Sequence, residues 1–175
     1  MILLSGLIPD AKYKLFVDLD GTLTDFDRMF YEIKGITPAE FRTKHPEDKD
    51  DTKFWFIIDR EGGLNFWSHM FWMPDGKMLW DYIKNKNVEI LSAPARQIPE
   101  HSALGKKLWC GRFLGKNIVL NLTRASEKQK FAAPNHILID DMKKNIERWQ
   151  KAGGIGILHK SASETIGSLI ELGIK

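Results

Sequence analysis

The segment Leu15-Phe16-Val17-Asp18-Leu19-Asp20-Gly21-Thr22 constrains this chain more than any other. Its apolar run reads as a buried strand that ends in two carboxylates one residue apart. A glycine then lets the backbone turn away. An ionised carboxylate buried without a partner is costly, so a strand delivering two of them points to a bound cation or to chemistry. In an open parallel sheet, ligands bind at the carboxyl ends of the strands, where Asp18 and Asp20 would sit. The plainer reading is a strand end followed by an Asp-Gly turn. A distant second acidic pair, Asp140-Asp141, weighs against it.

Beyond residue 75 the pattern alternates regularly. Met78, Leu79, Tyr82 and Ile83 recur at helical spacing within 76–86. The run 88–92 reads as a short buried strand closing on the hydroxyl of Ser92, and 98–109 as a helix entered through Pro99. A strand over 117–122, a short helix over 125–132 and a strand over 136–141 follow. Next come a helix over 142–152 stopped by Gly153-Gly154, a strand over 155–158 and a helix over 163–172 capped by Ser161 or Ser163. Such alternation predicts an α/β fold, a doubly wound, Rossmann-like parallel sheet with right-handed crossovers.

Residues 25–74 break the rhythm, with Pro38, Pro46, a charged run from Glu47 to Asp51 and a crowd of aromatic rings. Loops beyond roughly 12–15 residues rarely lack structure of their own. The stretch therefore reads as a small, mainly helical cap inserted after the first strand, with 1–24 and 75–175 forming the core domain. It would roof the aspartates. Most of Phe26, Trp55, Phe66, Trp67, Phe71 and Trp72 would make the cap's own core, with Phe26 and Trp67 as candidates to stack on a base.

Bulk properties exclude several classes. No apolar run approaches the roughly 20 residues of a membrane-spanning helix. The opening Met1-Ile2-Leu3-Leu4 has no basic residue before it and no cleavage pattern, and reads as a packed terminus and not a signal peptide. A net charge of +3 suits an anionic substrate and falls short of a protein that coats nucleic acid. The single cysteine, Cys110, can close no internal disulfide, and the histidines form no spaced zinc cluster. The expectation is a cytoplasmic protein, monomeric or homodimeric.

Four segments end in polar residues where strands stop: Asp18 with Asp20, Ser92, Lys130 shortly before a strand, and Asp140 with Asp141. Carboxylates brought together need a cation, and an all-oxygen set points to Mg²⁺. A lysine and a hydroxyl aimed at the same point would complete a phosphate site. The parts define a phosphoryl transfer in which Asp18 attacks phosphorus, and Asp20 protonates the leaving oxygen and then activates water. Ser92 as a turn former and Lys130 as a solvated side chain are the competing structural readings.

Asp18-Leu19-Asp20-Gly21-Thr22, Ser92, Lys130 and Ile139-Asp140-Asp141 resemble, in order, the four motifs of the haloacid dehalogenase (HAD)-like phosphohydrolases. Asp20 through Phe26, Asn65-Phe66-Trp67, Lys106 through Trp109 and Leu122-Thr123-Arg124 further resemble the 5′(3′)-deoxyribonucleotidase group. That resemblance implies Asp18 as nucleophile and Mg²⁺ ligand, and Asp20 as acid/base binding the metal through its main-chain carbonyl. It implies Asp141 as a direct ligand, and Asp140 beside a metal-bound water or behind the ligand shell. Ser92 and Lys130 would hold phosphate, with Lys106 as a further candidate. Lys128 competes with Lys130 for the lysine role, and the spacing to Asp140 favours Lys130. Ala93 stands where the group often carries a second hydroxyl, at the edge of the substrate site. The expected activity is Mg²⁺-dependent hydrolysis of a small phosphomonoester, a nucleoside monophosphate, through a phosphoaspartate. One rival is a phosphatase of polynucleotide ends or sugar phosphates, nucleic acid entering only as an end-phosphorylated substrate. The other is a non-catalytic nucleotide- or partner-binding protein.

Overall fold

The computed structural model describes residues 12–175; the opening stretch from Met1 to Leu4, read above as a packed terminus, lies outside them. The strands are β1 (Lys14–Val17), β2 (Thr24–Asp25), β3 (Phe71–Trp72), β4 (Val88–Ser92), β5 (Leu120–Leu122), β6 (His136–Asp140) and β7 (Ile155–Leu158). The helices are α1 (Phe26–Lys34), α2 (Pro38–Lys44), α3 (Thr52–Ile57), α4 (Gly63–Ser68), α5 (Gly76–Ile83), α6 (Pro99–Phe113), α7 (Lys143–Lys151) and α8 (Ala162–Glu171).

Five strands pair in parallel in the order β5-β4-β1-β6-β7. Alternation along β1 sends Leu15 and Val17 into one apolar layer with Ile90, Ile137 and Ile139. Phe16 enters the opposite layer with Leu91, Leu138, Ile146 and Trp149. Both faces are thus covered, which makes the sheet doubly wound as the alternation predicts. From β1 the chain builds outward to β4 and β5 on one side, then crosses to β6 and β7 on the other. The carboxyl ends of β1 and β6 therefore flank the point where strand order reverses, the place such sheets leave open for a ligand.

The sheet departs from expectation at its edge. β5 begins at Leu120 and not at 117, because Asn117 and Val119 are exposed and only β4 is there to pair with. The segment after β2 is mainly helical, but it is closed at its root by a two-residue antiparallel ladder, Thr24 opposite Trp72 and Asp25 opposite Phe71. Strands that short carry no readable period. Asp25 caps α1 by accepting from the Arg28 amide at 2.9 Å, and Thr37 with Glu40 forms a capping box ahead of Pro38 at the start of α2. A π-helical turn, Ile58–Gly62, joins α3 to α4. α4 then lies against α6 at Gly105, where an added Cβ would stand 2.3 Å from Trp67 Cβ. That close approach needs glycine. The rings of Phe30, Phe41, Phe54, Phe66 and Trp67 are continuous with the apolar layer beneath the sheet.

Candidate active site

The turn after β1 brings the two acidic segments together. The Asp18 amide still donates to the Ile139 carbonyl at 3.0 Å, and the Leu19 carbonyl then accepts from Thr22, Leu23 and Thr24 at 3.0, 2.8 and 2.8 Å. Gly21 takes a positive φ of 75° within this tight turn. A Cβ there would sit 2.4 Å from Asp141 Oδ2. Glycine is therefore required twice over, by its conformation and by the carboxylate resting against it.

Asp18, Asp140 and Asp141 each offer an oxygen within 4.8 Å of the others. At an effective dielectric near 20, each such pair of charges repels by roughly 3–4 kcal/mol. Lys128 offsets part of this, its Nζ donating to Asp140 Oδ2 at 2.6 Å and pairing with Asp18 Oδ2 at 3.0 Å. Asp140 also accepts from the Met142 amide at 2.8 Å and from Asn145 Nδ2 at 3.0 Å. When fully ionised, as cation binding would require, three carboxylates facing one ammonium leave two negative charges uncompensated. Burial, then the charges of Asp18 and Asp140, push the Asp141 carboxyl up to about 7. Burial and the charge of Asp18 likewise raise Asp140, against the pull of Lys128. Burial works to lower Lys128, but Asp18 and Asp140 outweigh it and hold the ammonium above its ordinary range.

The residual charge of two fits a divalent cation. Asp18 Oδ1 and Asp141 Oδ1 are buried acceptors without a hydrogen-bond partner among the described residues, and a hard ion such as Mg²⁺ prefers such all-oxygen donors. Asp18, Asp140 and Asp141 are the residues that could hold it. The Asp20 carboxylate is not in that cluster and belongs to a second network. Its Oδ2 accepts from Lys106 Nζ at 2.7 Å and its Oδ1 from Thr24 Oγ1 at 3.2 Å. Lys106 further donates to Ser92 Oγ at 3.0 Å and to the Ala93 carbonyl at 2.6 Å.

The structure corrects the choice of lysine. Lys130 is exposed and pairs with Glu127 at 2.8 Å, away from the carboxylates, whereas Lys128 is buried among them. Residues 125–131 form a 3₁₀ helix and not an α-helix. With three residues per turn, Lys128 shares the inward face with Phe131, which packs beside Phe16. Lys130 falls on the outer side. Trp67, expected to stack on a base, is only 1% exposed. Its ring instead lies parallel to Trp55 at 6.4 Å and beneath Lys106 Nζ at 5.4 Å. That is a core position, since no ring face is left for a ligand. Phe26 is partly buried against Phe54, Trp55, Phe66 and Trp67. Ala93 contributes its carbonyl to Lys106.

Two residues at the site escaped the sequence reading, Asn145 and Thr24. Asn145 had a readable signal: it lies on the inward stripe of α7 with Ile146 and Trp149, where an amide needs a partner. Thr24 gave none.

This arrangement, carboxylates at the switch point of a parallel sheet with a helical segment rising after its first strand, is the fold of the HAD-like hydrolases. Solved structures share it. A HAD family hydrolase from Deinococcus radiodurans R1, with bound phosphate and sodium, aligns with a TM-score of 0.54 over 94% of this chain and 98% of its own, at 11% identity. A hydrolase from Streptococcus pneumoniae TIGR4 aligns at 0.52, over 91% and 99%, with 15% identity. The L-2-haloacid dehalogenase from Xanthobacter autotrophicus aligns at 0.53, over 93% and 84%, with 13% identity. No family model and no curated protein sequence matches the chain. Among the described residues, no helix is long and apolar enough to cross a membrane.

Proposed function

We propose that the chain is a Mg²⁺-dependent phosphomonoesterase working through a phosphoaspartate. The observation that carries this reading is the cluster itself: three carboxylates, one ammonium and two unpartnered buried oxygens at the crevice of the sheet. Asp18, Asp140 and Asp141, with the Asp20 main-chain carbonyl that the resemblance adds, would hold Mg²⁺, whose chemistry is to neutralise charge on the phosphoryl oxygens. Lys128 spends two of its three N–H donors on Asp18 and Asp140, which leaves one for a phosphate oxygen. Ser92 accepts from Lys106 and keeps its own hydroxyl hydrogen to donate.

An Asp18 carboxylate oxygen attacks phosphorus, and the bond to the leaving oxygen breaks as Asp20 gives it a proton. Water then attacks the same phosphorus while Asp20 takes its proton. The bond to Asp18 breaks and inorganic phosphate leaves. Residues 25–74 serve as a cap that limits entry and excludes water during the first step. Its seating on α6 and the Asp59–His101 pair at 2.6 Å support that reading. The nucleoside monophosphate, as substrate, rests on the motif resemblance around Phe26, Trp67, Lys106 and Arg124.

A panel of deoxynucleoside and ribonucleoside monophosphates, sugar phosphates and 5′- or 3′-phosphorylated oligonucleotides, assayed with Mg²⁺ and with EDTA, tests both levels. Phosphate release that needs Mg²⁺ and disappears in Asp18→Asn is expected, with nucleotides preferred. Release from no compound in the panel would overturn the reading; a preference for oligonucleotide ends would replace only its substrate.

A further inference from the structure

The lysine nearest Asp20 has nothing left to give a phosphate. Lys106 is fully buried, and an ammonium has three N–H donors. All three are committed: to Asp20 Oδ2 at 2.7 Å, to Ser92 Oγ at 3.0 Å and to the Ala93 carbonyl at 2.6 Å. The Trp67 face closes the remaining side at 5.4 Å. Lys128 differs, with one donor uncommitted. The two buried lysines therefore hold two separate networks, one around the nucleophile and one around the acid/base.

We infer that Lys106 is a positioning residue, which fixes the Asp20 carboxylate toward the leaving oxygen and sets the rotamer of Ser92, and that it is not a phosphate ligand. This rests on the proposed role of Asp20. The Thr24 hydroxyl, 3.2 Å from Asp20 Oδ1, holds the other carboxylate oxygen, so the group is gripped from both sides. Such a device matters most when the leaving group needs a proton, as a nucleoside alkoxide does. It matters little to that first step when the leaving group is already a stable anion, such as nitrophenolate.

The test compares Lys106→Met with wild type on a deoxynucleoside monophosphate and on p-nitrophenyl phosphate. The readout is kcat/KM, which reports the steps up to departure of the leaving group and not the later attack of water that both substrates share. For the nucleotide, kcat/KM is expected to fall about 100-fold while KM moves less than about 3-fold. For p-nitrophenyl phosphate, kcat/KM should fall less than about 5-fold. Inorganic phosphate with Mg²⁺, titrated calorimetrically, should bind the variant within about 3-fold of wild type. Equal losses of kcat/KM on both substrates, or phosphate binding weakened about tenfold or more, make Lys106 a phosphate ligand and overturn the inference. Should Lys106→Met fail to fold, Thr24→Val carries the same comparison, with an expected loss of roughly 3- to 10-fold confined to the nucleotide; equal losses there also overturn it. If wild type hydrolyses neither substrate, the phosphatase reading falls and a crystal structure of Lys106→Met decides. An Asp20 carboxylate still in its wild-type rotamer refutes positioning, and a displaced one supports it.

Discussion

Replacing Lys128 by Met removes the one positive charge among the described residues in contact with Asp18 and Asp140, at 3.0 and 2.6 Å, and roughly keeps the length of the side chain. Three carboxylates with oxygens within 4.8 Å of one another are then left unopposed. Removing one partner of a buried ion pair costs about 3–5 kcal/mol, because the other charge stays buried and uncompensated. For a chain of this size each kcal/mol moves Tm by roughly 2–4 °C, so Lys128→Met should melt roughly 6–20 °C below wild type in EDTA. Lys130→Met is the internal control. Its exposed pair with Glu127 is worth about 0–1 kcal/mol, so its Tm should stay within about 4 °C of wild type. Adding Mg²⁺ should raise the Tm of Lys128→Met by more than it raises that of wild type, since the ion meets three negative charges in place of two. Acidification should also narrow the gap, as the orphaned carboxylates take protons. Thermal and urea unfolding, with and without Mg²⁺, measure all of this. If Lys128→Met matched Lys130→Met in EDTA, or lost stability without regaining any in Mg²⁺, the charge accounting would be wrong.

The metal-free protein should also carry a distinctive pH dependence. Asp141 titrates at about 7 when folded and near 3.8 when unfolded, so between these values the folded chain holds the extra proton. Stability in EDTA should therefore fall as pH rises from about 4 to about 7 and then level off. Mg²⁺ should flatten that slope, and identical curves with and without the ion would count against Asp141 as a ligand. Gly21→Ala forces a side chain into a left-handed backbone and 2.4 Å from Asp141 Oδ2. It should cost at least about 1–2 kcal/mol and weaken Mg²⁺ binding measured by calorimetry; unchanged affinity would show that Asp141 can move away freely. Trp67→Phe deletes a buried indole N–H that has no hydrogen-bond partner among the described residues. The substitution should leave nucleotide KM within about 2-fold. A KM rise of about tenfold or more would restore Trp67 to the substrate site.

The strands β1, β4 and β6 were legible because short apolar runs ended in acids or a hydroxyl, at Asp18, Ser92 and Asp140. Asp18, Ser92 and Asp140 could be proposed as neighbours before any coordinates for the same reason. The short ladder between β2 and β3 was not legible, since two residues carry no pattern. The lysines show a subtler limit. Spacing along the chain favoured Lys130, but the relevant period was that of a 3₁₀ turn, in which Lys128 and Phe131 fall on one face. Phe131 was the available signal: an apolar residue marks the inward side, and the lysine three before it shares that side.

Lys106 carries this argument further. The buried positions of α6 are Ser102, Gly105, Lys106, Trp109 and Cys110, helically spaced and with one ammonium among them. A lysine there must either find acceptors or surrender its charge, because burial penalises an unpaired ammonium heavily. Its acceptors come from the ends of two neighbouring strands, Asp20 beyond β1 and Ser92 with Ala93 at β4. The same helix packs α4 of the insertion through Gly105, one residue away. One turn of α6 thus ties the Asp20 carboxylate, the Ser92 hydroxyl and the insertion together. A polar side chain on the buried side of a helix needs partners there, and both Lys106 on α6 and Asn145 on α7, which spends its amide on Asp140, find them at the ends of the strands.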